Sequence, residues 1–179
     1  MTDISGVAKE IERKFLLTGL PPKLEHGETY HAQGVPADLA RDTYYNIEHG
    51  WLPGDVIQER LTCNTRGQGE YWRAIKAGQG VERIEAQERV SLEFFNKLWD
   101  LTLGKRVAKI RYCVPERDRA GTWSGVLWEV DRFLDRNLVM AEVEIPSADF
   151  NLQMPLWLAS YVVKEVTDDP SYLNINLAK

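Results

Sequence analysis

Along most of the chain apolar and polar side chains alternate with a period of two, the pattern of β-strands whose faces differ. Runs of this kind cover Lys9–Thr18, Asp42–His49, Asp55–Cys63, Gly69–Ala77, Val81–Val90, Val107–Pro115, Gly125–Phe133 and Val139–Ile145. Gly50–Asp55, Arg66–Gly69 and Ala77–Gly80 separate them as turns. Strands joined this closely predict an antiparallel meander, and closure is one way to remove its edges. Helical spacing replaces the alternation twice. Ser91–Leu103 places Leu92, Phe95, Leu98, Trp99 and Leu103 mainly on one stripe, with Ser91 as N-cap. Leu152–Val163 reads as a second helix, broken or started at Pro155. Gly19–Ala40 reads as a polar excursion with a helical turn at Ala37–Arg41. No repeat, low-complexity tract or linker interrupts residues 1–179, which predicts one domain.

The same alternation sorts charges by face. In Glu10-Ile11-Glu12-Arg13-Lys14-Phe15, two carboxylates and an ammonium share one side of a strand, with Ile11, Arg13 and Phe15 on the other. Comparable sets are Gln58 with Arg60; Lys76; Arg83, Glu85 and Gln87; Lys109 and Arg111; Glu129 and Asp131; Glu142 and Glu144. Parity fixes that each set shares a face, not which face is buried. In an ordinary half-buried sheet the charges would be solvated. The segregation of bases (Lys109, Arg111) from acids (Glu142, Glu144) argues for the opposite arrangement. It requires a layer over Trp128, Val130, Val143 and Ile145, which the helices could supply. A charged interior must hold water, a ligand or a compensated ion network. Acids for a hard cation and bases for an anion suit a metal-bound polyanion.

Composition narrows the class. The chain of 179 residues is 44% hydrophobic and 27% charged, as soluble globular proteins are. No apolar run approaches the ~20 residues that span a bilayer, and the first nine residues lack a signal-peptide core. A cytoplasmic protein with no membrane partner is expected. The net charge of −5 weighs against nucleic acid as a partner. Cys63 and Cys113 are too few for a disulfide scaffold and read as reduced structural thiols. His26, His31 and His49 show no zinc-type spacing, so oxygen ligands are expected for any metal.

These motifs, in order, resemble the CYTH superfamily of triphosphate tunnel metalloenzymes. Glu10–Phe15 resembles its E-x-E-x-K signature, and Lys109-Ile110-Arg111-Tyr112 its K-x-R-Y strand. Trp128–Phe133 resembles W-E-x-D-x-F, and Glu142-Val143-Glu144 the late E-x-E. Glu165-Val166-Thr167-Asp168-Asp169, with Tyr172 and Asn174, resembles the E-V-T-x-D…Y-x-N terminus. The resemblance implies a mainly β fold: a closed eight-stranded antiparallel β-barrel with a few flanking helices and a triphosphate in its tunnel. It implies Mg²⁺ or Mn²⁺ held by Glu10, Glu12 and Glu144, with Asp131 and Glu142 nearby. Phosphate oxygens would be bound by Lys14, Arg60, Lys76, Arg83, Lys109 and Arg111. Catalytic roles would fall to Lys14, Lys109 and Glu85, the last placing a second metal or the attacking water.

The implied activity is metal-dependent hydrolysis of a small-molecule triphosphate, inorganic tripolyphosphate first, then thiamine triphosphate or a nucleoside triphosphate. A class IV-type adenylate cyclase and a non-catalytic polyphosphate binder are the rivals, with an RNA 5′-triphosphatase behind them. A homodimer is compatible with the sequence. Three positions depart from the family pattern. Thr62 stands where R-x-R has its second arginine, Gln87 where R-x-E-x-E has its last acid, and Ser171 where many members are basic.

Overall fold

The computed structural model describes residues 4–25, 44–54, 58–64, 69–77, 82–118 and 120–179, with backbone alone at 4–10, 58, 76–77 and 82–84. The side chains of Glu10, Lys76 and Arg83 and the expected helical turn at Ala37–Arg41 lie outside the described residues. Within them the chain forms nine strands: β1 (Ile4–Leu17), β2 (Tyr44–Trp51), β3 (Gln58–Asn64), β4 (Glu70–Ala77), β5 (Glu82–Arg89), β6 (Arg106–Arg117), β7 (Trp123–Phe133), β8 (Val139–Glu144) and β9 (Val162–Glu165). Four short helices accompany them: α1 (Pro22–Glu25), α2 (Leu92–Trp99), α3 (Leu156–Ala159) and α4 (Asn174–Leu177). The strands join in the order β5, β4, β3, β2, β6, β7, β8, β1, β9, and β5 pairs in addition with β1.

The architecture is mainly β, as the alternation predicts, but has nine strands where eight were expected. The extra strand is β9, whose first two residues fall at the end of the helix expected over Leu152–Val163. Pro155 does start a helix, but α3 is only four residues long. Beyond it the β-branched Val162 and Val163 open β9, in which Val162 pairs with Leu17, Lys164 with Leu16 and Glu165 with Phe15 of β1, with a register shift between Leu16 and Leu17. With β9 at its edge, the nine-stranded sheet is not the expected eight-stranded closed barrel.

Two compact units are distinguished within the chain. The first contains Met1–Glu10, Asn46–Lys109 and Asp168–Lys179. Its strands β2 to β5 are successive antiparallel neighbours, pairing His49 with Thr62, Arg60 with Ala74, and Lys76 with Glu85. Ser91 caps α2, its hydroxyl accepting from the Phe94 N–H at 3.1 Å. The helix ends at Trp99, and a 3₁₀ turn over Asp100–Thr102 carries the remainder of the expected span. Only Phe95 of the stripe is buried, packed on Tyr71 and Trp99, while Leu92 and Leu103 are exposed. The turn expected from Gly50 begins later, because Gly50 and Trp51 remain in β2. A Cβ on Gly50 would lie 2.5 Å from Thr102 Oγ1 and 2.7 Å from the Trp99 ring, so this glycine is needed for close approach rather than for a bend.

The second unit contains Ile11–Tyr45 and Ile110–Thr167. Here β8 lies between β7 and β1, with Glu129 opposite Glu142, Lys14 opposite Glu142, and Glu12 opposite Glu144. Its core is the apolar parity of the strands: Phe15, Tyr112, Val114, Trp128, Val130, Ala141 and Val143. Leu24 of α1, Leu158 of α3, and Phe150, Leu152, Met154 and Trp157 pack against that face. The covering layer that the alternation required is therefore present, supplied by α1 and the segment around α3. The charged parity is buried too. Lys14, Asp131 and Glu142 are 4%, 0% and 5% exposed, so the half-solvated sheet is excluded for these strands.

Candidate active site: a buried network of carboxylates and cations

In the second unit, strand alternation and register bring Lys14, Arg111, Glu12, Glu129, Asp131 and Glu142 together. The Lys14 ammonium donates to Glu142 Oε1 at 2.7 Å and lies 3.2 Å from Glu12 Oε1. Arg111 grips Asp131 as a fork, Nε and Nη2 each 2.7 Å from a carboxylate oxygen. Its Nη2 also donates to Glu142 Oε2 at 2.8 Å, and Nη1 donates to Glu129. Glu142 thus bridges the two cations, one oxygen to each. Burial pulls the Arg111 guanidinium down, but Asp131, Glu129 and Glu142 outweigh it and raise the group well above its ordinary value. Arg111 is a fixed positive charge at any working pH.

Lys14 is also fixed through its backbone. Its carbonyl accepts from the Val166 N–H at 2.8 Å, and its N–H donates to Thr167 Oγ1 at 3.0 Å. The family-like motif around Glu165–Thr167 therefore meets the E-x-E-x-K strand directly.

In the first unit the Arg60 guanidinium donates to Glu85 Oε1 at 2.9 Å, with side chains 15% and 6% exposed. Register places Lys76 opposite Glu85. Thr62, the departure from R-x-R, is buried and bonds His49 Nδ1 at 2.9 Å across β2 and β3. Gln87 and Ser171, the other two departures, are exposed. Lys109 is completely buried. Cys63 and Cys113 form no disulfide, and burial, with Glu48 nearby, pushes the Cys63 thiol up.

Of the residues expected to hold metal, Asp131 and Glu142 are engaged by Arg111 and Lys14. Glu12 lies opposite Glu144, whose side chain is exposed, and Glu10 is two residues earlier on the same strand. Among the described residues, no three His, Cys, Asp or Glu side chains are grouped to hold a metal. The donor chemistry still fits a hard divalent cation. Carboxylate oxygens are its preferred ligands, and in the described ion pairs four carboxylates (Glu12, Glu129, Asp131, Glu142) surround two cations, Lys14 and Arg111.

Glu129 was not among the expected site residues, although it holds Arg111. Its signal is its parity with Asp131 in Trp128–Phe133. Glu165 and Thr167 were marked by the E-V-T-x-D resemblance alone; their partners Arg13 and Lys14, about 150 positions away in the chain, had no local signal.

No family model matches the chain. An inorganic triphosphatase of Nitrosomonas europaea is 34% identical over 176 residues, covering 94% of this chain and 96% of the relative. One from Acetivibrio thermocellus is 29% identical over 176 residues, covering 97% and 95%. A crystal structure of an inorganic triphosphatase matches with a TM-score of 0.57 at 30% identity, covering 94% of this chain and 93% of that one. A protein from Pyrococcus horikoshii, at 14% identity and a TM-score of 0.52, shares the fold.

Proposed function

The chain belongs to the CYTH superfamily of triphosphate tunnel metalloenzymes, among the inorganic triphosphatases, and on that premise we propose that it hydrolyses inorganic tripolyphosphate with Mg²⁺ or Mn²⁺. The observation that carries the reading is the buried network in which Glu142 bridges Lys14 and Arg111. A permanent network of this kind is a poor way to stabilise a fold, because desolvation offsets most of the attraction. It suits a site whose cations must be presented to an anionic ligand.

Glu12 and Glu144, with Glu10, would hold the metal, which when bound neutralises phosphate charge. Lys14 and Arg111 exchange some of their carboxylate contacts for phosphate oxygens, the lysine as a compact charge and the arginine as a fork. Asp131 and Glu129 keep the guanidinium oriented during that exchange. Their work is charge stabilisation of the transferring phosphoryl group. Glu85, held by Arg60, orients the attacking water. Arg60, Lys76, Arg83 and Lys109 complete the proposed phosphate ligands. The P–O bond to the terminal phosphoryl breaks as the water oxygen adds, releasing orthophosphate and leaving pyrophosphate.

The reading treats residues 1–179 as one functional domain. Phosphate release from tripolyphosphate, thiamine triphosphate and ATP, each with Mg²⁺ and with Mn²⁺, tests the assignment. Fastest release from tripolyphosphate is expected. Metal-dependent formation of cyclic AMP from ATP, without phosphate release from tripolyphosphate, would replace the hydrolase by a cyclase.

A further inference from the structure

Lys14 is the strand residue whose backbone meets the end of β9, and there the regular ladder gives way to a side chain. β9 ends at Glu165. The Val166 N–H still donates to the Lys14 carbonyl at 2.8 Å, but the Lys14 N–H donates at 3.0 Å to the Thr167 hydroxyl instead of to a backbone carbonyl. That hydroxyl in turn donates to Glu165 Oε1 at 2.7 Å. Arg13 closes the chain, its Nε donating to Glu165 Oε1 at 2.9 Å and its Nη2 to Oε2 at 2.5 Å. Each group has its direction set by the next. The guanidinium and the carboxylate are ionic, so the hydroxyl proton must point at Glu165, and its lone pair is left for the Lys14 N–H.

We propose that Thr167, backed by Glu165 and Arg13, is a positioning device for Lys14; this rests on the triphosphatase reading above. Arg13 and Lys14 are adjacent in the strand and point to opposite faces, so one face carries the brace and the other the ammonium. The brace fixes the Lys14 backbone, and with it the origin of a long flexible side chain. Its ammonium must stay between Glu12 and Glu142 and still reach a phosphate oxygen. A small misplacement of such a group costs rate out of proportion to the bond lost.

The test uses Thr167→Val, which removes the hydroxyl at nearly constant shape, Thr167→Ser, which keeps it, and both wild-type and Lys14→Ala backgrounds. Thr167→Val is expected to lower kcat for tripolyphosphate about three- to tenfold, the loss of roughly one hydrogen bond, while Thr167→Ser stays near wild type. In the Lys14→Ala background Thr167→Val should cost nothing further, because residues acting through one another are not additive. An equal loss in both backgrounds, or none in either, overturns the proposal. A crystal structure of Thr167→Val gives a readout independent of turnover. The Lys14–Glu142 contact should lengthen from 2.7 Å, and an unmoved ammonium would overturn the proposal even in a protein without hydrolase activity. Wild type without phosphate release would defeat only the functional reading. If Thr167→Val fails to fold, Glu165→Ala, at the exposed end of the brace, is put through the same comparisons.

Discussion

Arg111 holds Asp131 through two parallel 2.7 Å hydrogen bonds, and Asp131 is completely buried. The pair is geometrically specific, since only a guanidinium presents two donors in this fork. Arg111→Met would leave the Asp131 carboxylate buried without its counter-charge. A loss of about 3–5 kcal/mol is expected, as when one partner of a buried pair is removed. Urea denaturation checks it, and Asp131→Asn in the same protein should restore a large part. An unchanged midpoint in the single variant would show the carboxylate to be solvated.

The Glu165 carboxylate is held below its ordinary value by the hydrogen bond from Arg13, with the Thr167 hydroxyl and the guanidinium's charge adding to it. A carboxyl depressed in the folded state stabilises the fold above its unfolded value and loses that contribution as pH falls through the folded one. The increment should therefore be complete above about pH 4.5, the ordinary value, and fade below it. Glu165→Gln should be less stable than wild type at pH 7, and the gap should narrow toward pH 3. The pair is partly exposed, so the gap will be small and will shrink in salt. A gap that widens on acidification would contradict the assigned direction.

Gly50→Ala places a methyl group against Thr102 and the Trp99 ring. Overpacking of this kind costs about 1–3 kcal/mol, read as a lower Tm. Gly104→Ala, where nothing lies near but φ is +75°, is a useful contrast. Its cost would come from backbone strain alone.

The strands and the parity of their charges were legible because alternation is local. Which parity lies buried was not, since that depends on α1 and the segment around α3 covering Trp128 and Val130, a contact between distant parts of the chain. For the same reason the sequence separates Arg111 from its partners. Asp131 and Glu129 are 20 and 18 positions away, and Glu142 is 31. Ser91 was readable as a cap because capping is chemistry within four residues. The start of β9, Val162 and Val163, was read as helix because Pro155 and the apolar residues after it start α3, and nothing local says that the helix ends after one turn. The resemblance singled out Glu10, Glu12 and Glu144 as the metal set; among the described residues no such group is assembled.

Glu144 is exposed and opposite Glu12. Glu144→Ala should leave the Tm nearly unchanged, because an exposed side chain contributes little to packing. It should raise the Mg²⁺ or Mn²⁺ concentration needed for half-maximal phosphate release by about tenfold, since an oxygen ligand is lost. Unchanged metal dependence would remove Glu144 from the metal site.

The most direct test of the buried network as a triphosphatase site is phosphate release paired with calorimetry on wild type and Lys14→Ala, using tripolyphosphate and Mg²⁺. Wild type should bind tripolyphosphate and release orthophosphate. Lys14→Ala should fold and turn over at least about tenfold more slowly, because charge neutralisation counts most as the phosphoryl group transfers. Tight binding by wild type with no phosphate released from any triphosphate would contradict the account, and so would unchanged turnover in Lys14→Ala.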